Sequence, residues 1–281
     1  MAKQQSINAR GIGLELQRLR KERKLTCKAV GDALDVSGST ISRIETGKRE
    51  ATREEVASIL TLLGVVGVDR ARLIDQARRQ SESDLVETAG STEQSRNYKN
   101  FELRATKITD FELVLVPGLA QTREYASELL ATVRPGDTEE NIEEWVRQRI
   151  SRSAILSRQH PPELHWIMTE MCLRQPLTSA KTMRRQATYL IELAEQPNIT
   201  INIIPANVVA HVGLQGQFVI LDFAAEPSIV HVEALTTGLF LDEPAKVARY
   251  RLAVEKLTDV ALDHAASVRR LKSIATDLAR E

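Results

Sequence analysis

Residues 26–47 read Thr-Cys-Lys-Ala-Val-Gly-Asp-Ala-Leu-Asp-Val-Ser-Gly-Ser-Thr-Ile-Ser-Arg-Ile-Glu-Thr-Gly. The pattern gives two short helices meeting at a tight turn, the second with a polar, basic face. That is the shape that fits the major groove of DNA. Gly31 falls where the helices cross and only a small residue fits. Asp35, four residues on, falls where the turn needs a left-handed backbone, which Asp tolerates better than most residues. Ser37 is a good N-cap for the second helix, about Gly38 to Glu45. Ile41 and Ile44 turn from that helix back into the core. Thr26 caps the preceding helix, about Cys27 to Leu34.

Working outward, Leu16, Leu19 and Leu25 mark the apolar stripe of a first helix and its exit. Thr52 followed by Glu55 is a capping box. It opens a helix carrying Val56, Ile59, Leu60 and Leu63, and a fifth helix follows over about Asp69–Arg79. Residues 1–10 read as a loose polar arm. Residues 1–80 hold 16 Lys and Arg against 10 Asp and Glu, whereas the remainder holds 22 against 28. A basic module beside an acidic remainder suits DNA at one end and something else at the other.

Gly13 to Val68 resembles the Xre-type, phage-repressor-like helix-turn-helix family. In that family an Arg on the first helix pairs with a Glu late in the recognition helix, and Arg20 and Glu45 stand at those positions. The run Ser-Arg-Ile-Glu-Thr-Gly-Lys-Arg at 42–49 matches the end of the family's recognition helix and the following loop. Two positions depart from the pattern. Gly38 stands where the family often has a base-reading Gln, and Cys27 where another Gln often opens the preceding helix. Ser39, Thr40, Ser42 and Arg43 are expected to face base edges, with Arg43 the best guanine reader. Thr26, Lys28, Ser37, Lys48 and Arg49 are expected to complete the DNA-binding surface, the last two at phosphates. A module this small touches few bases, so a homodimer on an inverted repeat is expected.

Residues 80–97 lose apolar periodicity and read as a linker, between a helix-turn-helix domain at 1–79 and a second domain at 98–281. A fragment ending at residue 80 is expected to fold alone and bind DNA. The second half mixes many helices with few strand candidates: 164–168, 199–204, 217–221 and 229–232. A long charged helix opens at Asp137 with Glu140. The expected fold class is mainly α, a five-helix N-terminal domain plus a C-terminal α+β domain with a small sheet.

This half also resembles the uncharacterised C-terminal domain fused to Xre-type modules in actinobacterial regulators. The carriers are Val-Pro-Gly-Leu-Ala-Gln-Thr-Arg-Glu-Tyr-Ala at 116–126, Arg147 to Leu156, Glu170 with Leu173 and Arg174, Asn198 to Pro205, and Gly-Gln-Phe-Val-Ile-Leu at 216–221. The resemblance implies an antitoxin-like or developmental transcription regulator whose C-terminal domain engages a small partner protein encoded nearby; a repressor or antitoxin-like regulator is the expected function. A small-molecule sensor is the alternative.

No catalytic constellation is legible. G-x-S-x-G, P-loop and G-x-G-x-x-G patterns are absent, and the five histidines lack zinc spacing. Neither enzymatic activity nor a cofactor nor a metal is expected. Glu170 and Arg174 read as an i,i+4 pair. Cys27, near a helix N-terminus and beside Lys28, has two readings: a thiol of lowered pKa acting as a redox switch, or, the favoured one, simply a small residue near the phosphate backbone. Two distant cysteines, no signal peptide and no apolar run of ~18 residues point to a cytoplasmic protein with no membrane association.

Overall fold

The computed structural model describes residues 7–78, 84–88, 92–235 and 237–280. In chain order the helices of the N-terminal region are α1 (Ile7–Glu22), α2 (Cys27–Ala33), α3 (Gly38–Glu45), α4 (Arg53–Leu62) and α5 (Gly67–Arg78). There follow β1 (Asp84–Thr88), α6 (Thr92–Arg104), β2 (Lys107–Glu112), α7 (Arg123–Val133), α8 (Glu139–Arg152) and β3 (Glu163–Thr169). The rest comprises α9 (Met171–Arg174), α10 (Ala180–Leu193), β4 (Ile199–Ile204), β5 (Phe218–Asp222), β6 (Ile229–Glu233), β7 (Thr237–Leu241), α11 (Pro244–Val260) and α12 (His264–Asp277).

The chain forms two compact units. One comprises Met1–Asn100 with Ala225–Val247, the other Phe101–Ala224 with Ala248–Glu281. In the first unit, Ile12 and Leu16 from α1 meet Val30, Ile41, Ile44, Val56, Ile59, Leu60 and Leu73 in one core. Thr26, Ser37 and Thr52 cap α2, α3 and α4 through their hydroxyls, and Glu55 closes the capping box. Four helices of the unit are followed by a left-handed residue: Lys24, Asp35, Gly47 and Gly64, with φ between 55° and 70°. After α1, α2 and α4 the next amide turns back to the helix: Leu25 to Arg20 O, Val36 to Gly31 O and Val65 to Leu60 O. That bond absorbs a carbonyl the helix leaves open. At Asp35 it makes the tight turn that aims α3.

The first unit also holds three antiparallel strands in the order β1-β7-β6. β1 and the start of α6 occupy the stretch read from sequence as a linker. That region differs from the expectation because its pairing is non-local: Asp84 faces Leu241 and Thr88 faces Thr237. A local window cannot see a partner so far along the chain. For the same reason residues 225–247 group with the N-terminal unit and not with the half that contains them in sequence. Linker residues 80–83 and 89–91 lie outside the described residues, as do residue 79 and residues 1–6 of the expected arm. Residues 7–10 are not a loose arm: they open α1, and Ile7, Asn8, Ala9 and Arg10 are all buried.

In the second unit the strands run β5-β2-β3-β4. β2, β3 and β4 are parallel, and β5 is antiparallel to β2. The α7–α8 pair carries the chain from β2 to β3, and α9–α10 from β3 to β4, as parallel pairing requires. The helix start expected at Asp137 shifts by one residue: Thr138 caps α8, accepting from Asn141 N. α8 ends at Arg152, followed by a short 3-10 turn. The chain is thus a helical N-terminal domain and an α+β domain, as its periodicities indicate.

The stretch 116–126 is fixed by backbone bonding. Gln186 donates to Ala120 O (2.7 Å) and accepts from Thr122 N (2.8 Å). Gln121 donates to Val116 O at 2.7 Å, and Val116 N donates to the Tyr125 hydroxyl at 3.3 Å. Buried backbone groups in an irregular loop must find partners, and these side chains supply them.

Candidate nucleic-acid interface

α3 owes its position to three glycines and one ion pair. A Cβ on Gly31 would lie 2.6 Å from Val36 O, and one on Gly13 2.4 Å from Ile44 O. The α2–α3 turn and the C-terminal end of α3 therefore lie directly against bare backbone. At Gly38 a Cβ would come within 3.0 Å of Lys28 Cα and 3.1 Å of Lys28 N. The first turns of α2 and α3 abut there, so a side chain at residue 38 would need the start of α2 to give way slightly.

Arg20 and Glu45 meet in a two-pronged pair: Nε to Oε1 at 2.6 Å and Nη2 to Oε2 at 2.7 Å. Their side chains retain 10% and 3% of their exposure. Arg20 Nη1 also donates to Leu25 O at 2.6 Å. One guanidinium thus ties α1, the loop before α2, and the end of α3. The Glu45 carboxylate holds the Arg20 guanidinium above its ordinary pKa. Cys27 Sγ lies 3.6 Å from Glu45 Oε2. Burial, and next the Glu45 carboxylate, push the Cys27 thiol up. The thiol is therefore shifted away from the thiolate: burial and the Glu45 carboxylate outweigh the opposing pull of Arg20 and of the backbone bond at Cys27.

With Ile41, Ile44 and Glu45 buried, α3 exposes Ser39, Ser42, Arg43 and Thr46. Their i, i+3, i+4, i+7 spacing makes one face. Thr46 was missed by sequence reading, although continuing that spacing from Ser39 would have found it. Its hydroxyl bonds Ser42 O at 2.8 Å. Arg43 Nε reaches back to Ser39 O at 3.3 Å, a long bond that leaves the rest of the guanidinium for other partners. The Ser37 hydroxyl lies 2.8 Å from both the Ser39 and the Thr40 hydroxyls, so these three form one cluster at the start of α3. Thr40 is half-buried, unlike its neighbours on the face.

Around this face, Lys28 and Lys48 are exposed. Thr26 is exposed and accepts from Ala29 N at 3.0 Å. Arg49 differs from the simple expectation of a free phosphate contact. Its guanidinium is engaged by Glu55 at 3.0 and 2.7 Å. Glu55 also accepts from Thr52 N. Burial opposes ionisation of Glu55, but Arg49 and the Thr52 amide hold its carboxyl below the usual range.

The histidines of the second unit take separate places. His165 bonds Asn202 at 2.7 Å, and His264 Nδ1 accepts from Ile201 N. Glu170 pairs with Arg174. Among the described residues no group of three His, Cys, Asp or Glu side chains is placed to hold a metal ion, and no helix is long and apolar enough to cross a membrane.

A helix-turn-helix with one polar face of its second helix exposed defines the class: a DNA-binding-type N-terminal domain. Residues 12–73 match a family described as a helix-turn-helix domain. Residues 95–273 match the family described as a domain of unknown function, DUF5753, and the chain belongs to that family. No curated protein matches the chain.

Proposed function

We propose that this chain is a sequence-specific DNA-binding transcription regulator, a repressor or an antitoxin-like regulator, and not an enzyme. The observation that carries the reading is the exposed face Ser39–Ser42–Arg43–Thr46, with Lys28 and Lys48 at its margin. Arg43 reads a guanine, since a guanidinium bonds O6 and N7 together. Lys28 and Lys48 neutralise phosphates and set register without reading sequence. Ser39 and Ser42 read less specifically. A homodimer places two such helices on an inverted repeat. The DUF5753 half engages a small partner protein, the role that its resemblance to regulator C-terminal domains implies.

A second reading makes that half a small-molecule sensor. It draws on a pocket of about 100 Å³ lined by Leu173, Met183, Ile274 and Leu278. The Thr178 hydroxyl on its wall is buried without a partner among the described residues.

The test compares Arg43→Ala with Lys48→Ala on a randomised duplex library. Arg43→Ala loses ~1–3 kcal/mol at the preferred site and relaxes one base pair per half-site, while Lys48→Ala weakens all sequences alike and lowers the salt slope by about one. Uniform loss in both variants would remove Arg43 from base readout.

A further inference from the structure

Helix α1 is buried more completely than a helix-turn-helix core requires. Ile7, Asn8, Ala9, Arg10, Gly11, Ile12 and Gly13 are buried in unbroken succession. Seven consecutive residues cover two turns and therefore every side of the helix. A helix packed on one core buries a stripe; this end is enclosed.

Residues 225–247 help to enclose it. The Arg10 side chain is fully buried, its Nη2 2.6 Å from Glu226 Oε2. Arg10 Nη1 donates to Pro227 O at 3.1 Å. These residues lead into the β6–β7 hairpin, which pairs with β1 through β7, and β1 lies against α1. His231 on β6 contacts both the Tyr98 ring (4.7 Å) and the Phe240 ring (4.5 Å), fixing the hairpin within the unit.

The other side of Arg10 faces the recognition helix. Gly47, the left-handed residue that ends α3, has no room for a side chain: a Cβ there would lie 2.7 Å from Arg10 Cγ and 3.1 Å from Arg10 Cα. One buried arginine therefore touches both the entry to the hairpin and the end of α3. The hairpin's own ends continue in sequence into β5 and α11.

We propose that the 225–243 hairpin is a control element of the DNA-binding unit. Through the Glu226–Arg10–Gly47 contact it holds the C-terminal end of the recognition helix, so that a change in the second half of the chain alters DNA affinity without touching DNA. Its consequence for affinity rests on the function proposed above; the mechanical linkage does not.

Amide hydrogen exchange on the full-length chain tests the linkage directly. Glu226→Gln removes the charge that Arg10 faces and changes nothing on α3. Exchange at Thr46, Gly47 and Arg49, whose amides bond Ser42, Ile44 and Arg43 carbonyls, should quicken by roughly fivefold or more as local opening becomes easier. Exchange at Leu63 and Val65, at the end of α4, should stay unchanged. No change at 46–49 would overturn the proposal, as would an equal increase in all five helices, which would report general loosening. Arg10→Met/Glu226→Met keeps an apolar filling without the ion pair and serves if the single variant folds poorly; it should restore slow exchange at 46–49, and fast exchange there in a folded double variant would overturn the proposal. A duplex titration forms the second arm. Glu226→Gln should weaken binding several-fold with an unchanged salt slope, since no phosphate contact is lost. Wild-type affinity in that arm would overturn the control role. If the wild-type chain itself binds no duplex, the proposed function fails while the exchange result still decides the linkage.

Discussion

The Arg20–Glu45 pair allows the most closely argued prediction. Glu45→Gln preserves shape and one acceptor but removes the charge facing Arg20. The two side chains are 10% and 3% exposed, so water cannot readily replace the lost partner. Breaking a buried pair from one side costs ~3–5 kcal/mol, and the acceptor that Gln retains brings this to about 2–4 kcal/mol. For a domain of this size each kcal/mol moves the melting temperature by roughly 4 °C, giving a fall of about 8–16 °C for the first unit. Calorimetry on the full-length chain reads this directly, with hydrogen exchange in α3 assigning the transition to that unit. Arg20→Met/Glu45→Leu, which removes both charges, should recover most of the loss, because the desolvation cost disappears with the attraction. A Glu45→Gln protein melting within about 2 °C of wild type would instead place the pair among exposed bridges worth ~0–1 kcal/mol. A double variant no better than the sum of the singles would likewise count against a coupled buried pair.

Three further outcomes are expected. Gly31→Ala and Gly13→Ala should each abolish cooperative melting of the first unit or lower it sharply, because the added methyl meets backbone oxygen at 2.6 and 2.4 Å; near wild-type melting would show that the helices can separate cheaply. Gly38→Ala should be milder and should lower DNA affinity more than stability, since its neighbours at 3.0–3.1 Å need move only slightly; equal affinity would show that the α2–α3 contact does not set the pose of α3. In the second unit burial pushes the Asp110 carboxyl up to about 7, with Arg152 pulling it down and Glu102 adding to the rise. The folded state then holds a proton that the unfolded state releases near pH 4, so this contribution is complete at low pH and is lost as pH rises through about 7. Asp110→Asn should accordingly match wild type at pH 4 and exceed its stability by roughly 2–4 kcal/mol at pH 8; a gap independent of pH would contradict the assignment.

Most of the recognition module was legible in the sequence because its signals are local. Gly31 meets backbone only five to seven residues on, and the caps at Thr26, Ser37 and Thr52 act on amides three residues away. Arg20 and Glu45 were paired through resemblance, not periodicity. What stayed hidden is non-local. β1 finds its partner in β7. The enclosure of α1 depends on Glu226 and Pro227. Nothing in residues 1–80 announces either, so a fragment cut at residue 80 loses a cover over Ile7–Gly13 that no local pattern reveals. The Arg49–Glu55 pair was hidden for another reason. Glu55 was visible as a capping-box residue, and its second carboxylate function toward Arg49 needs the geometry of the intervening loop.

If the exposed face of α3 reads DNA sequence, the chain discriminates among duplexes of equal length and charge. Selection of bound duplexes from a fully randomised pool by the full-length chain, sequenced after several rounds at fixed salt, addresses it most directly. The expected result is enrichment of one inverted repeat whose half-sites are about one helical turn apart, each with a guanine that Arg43→Ala no longer selects. A pool that stays random while binding falls steeply with salt would contradict it, leaving only phosphate attraction.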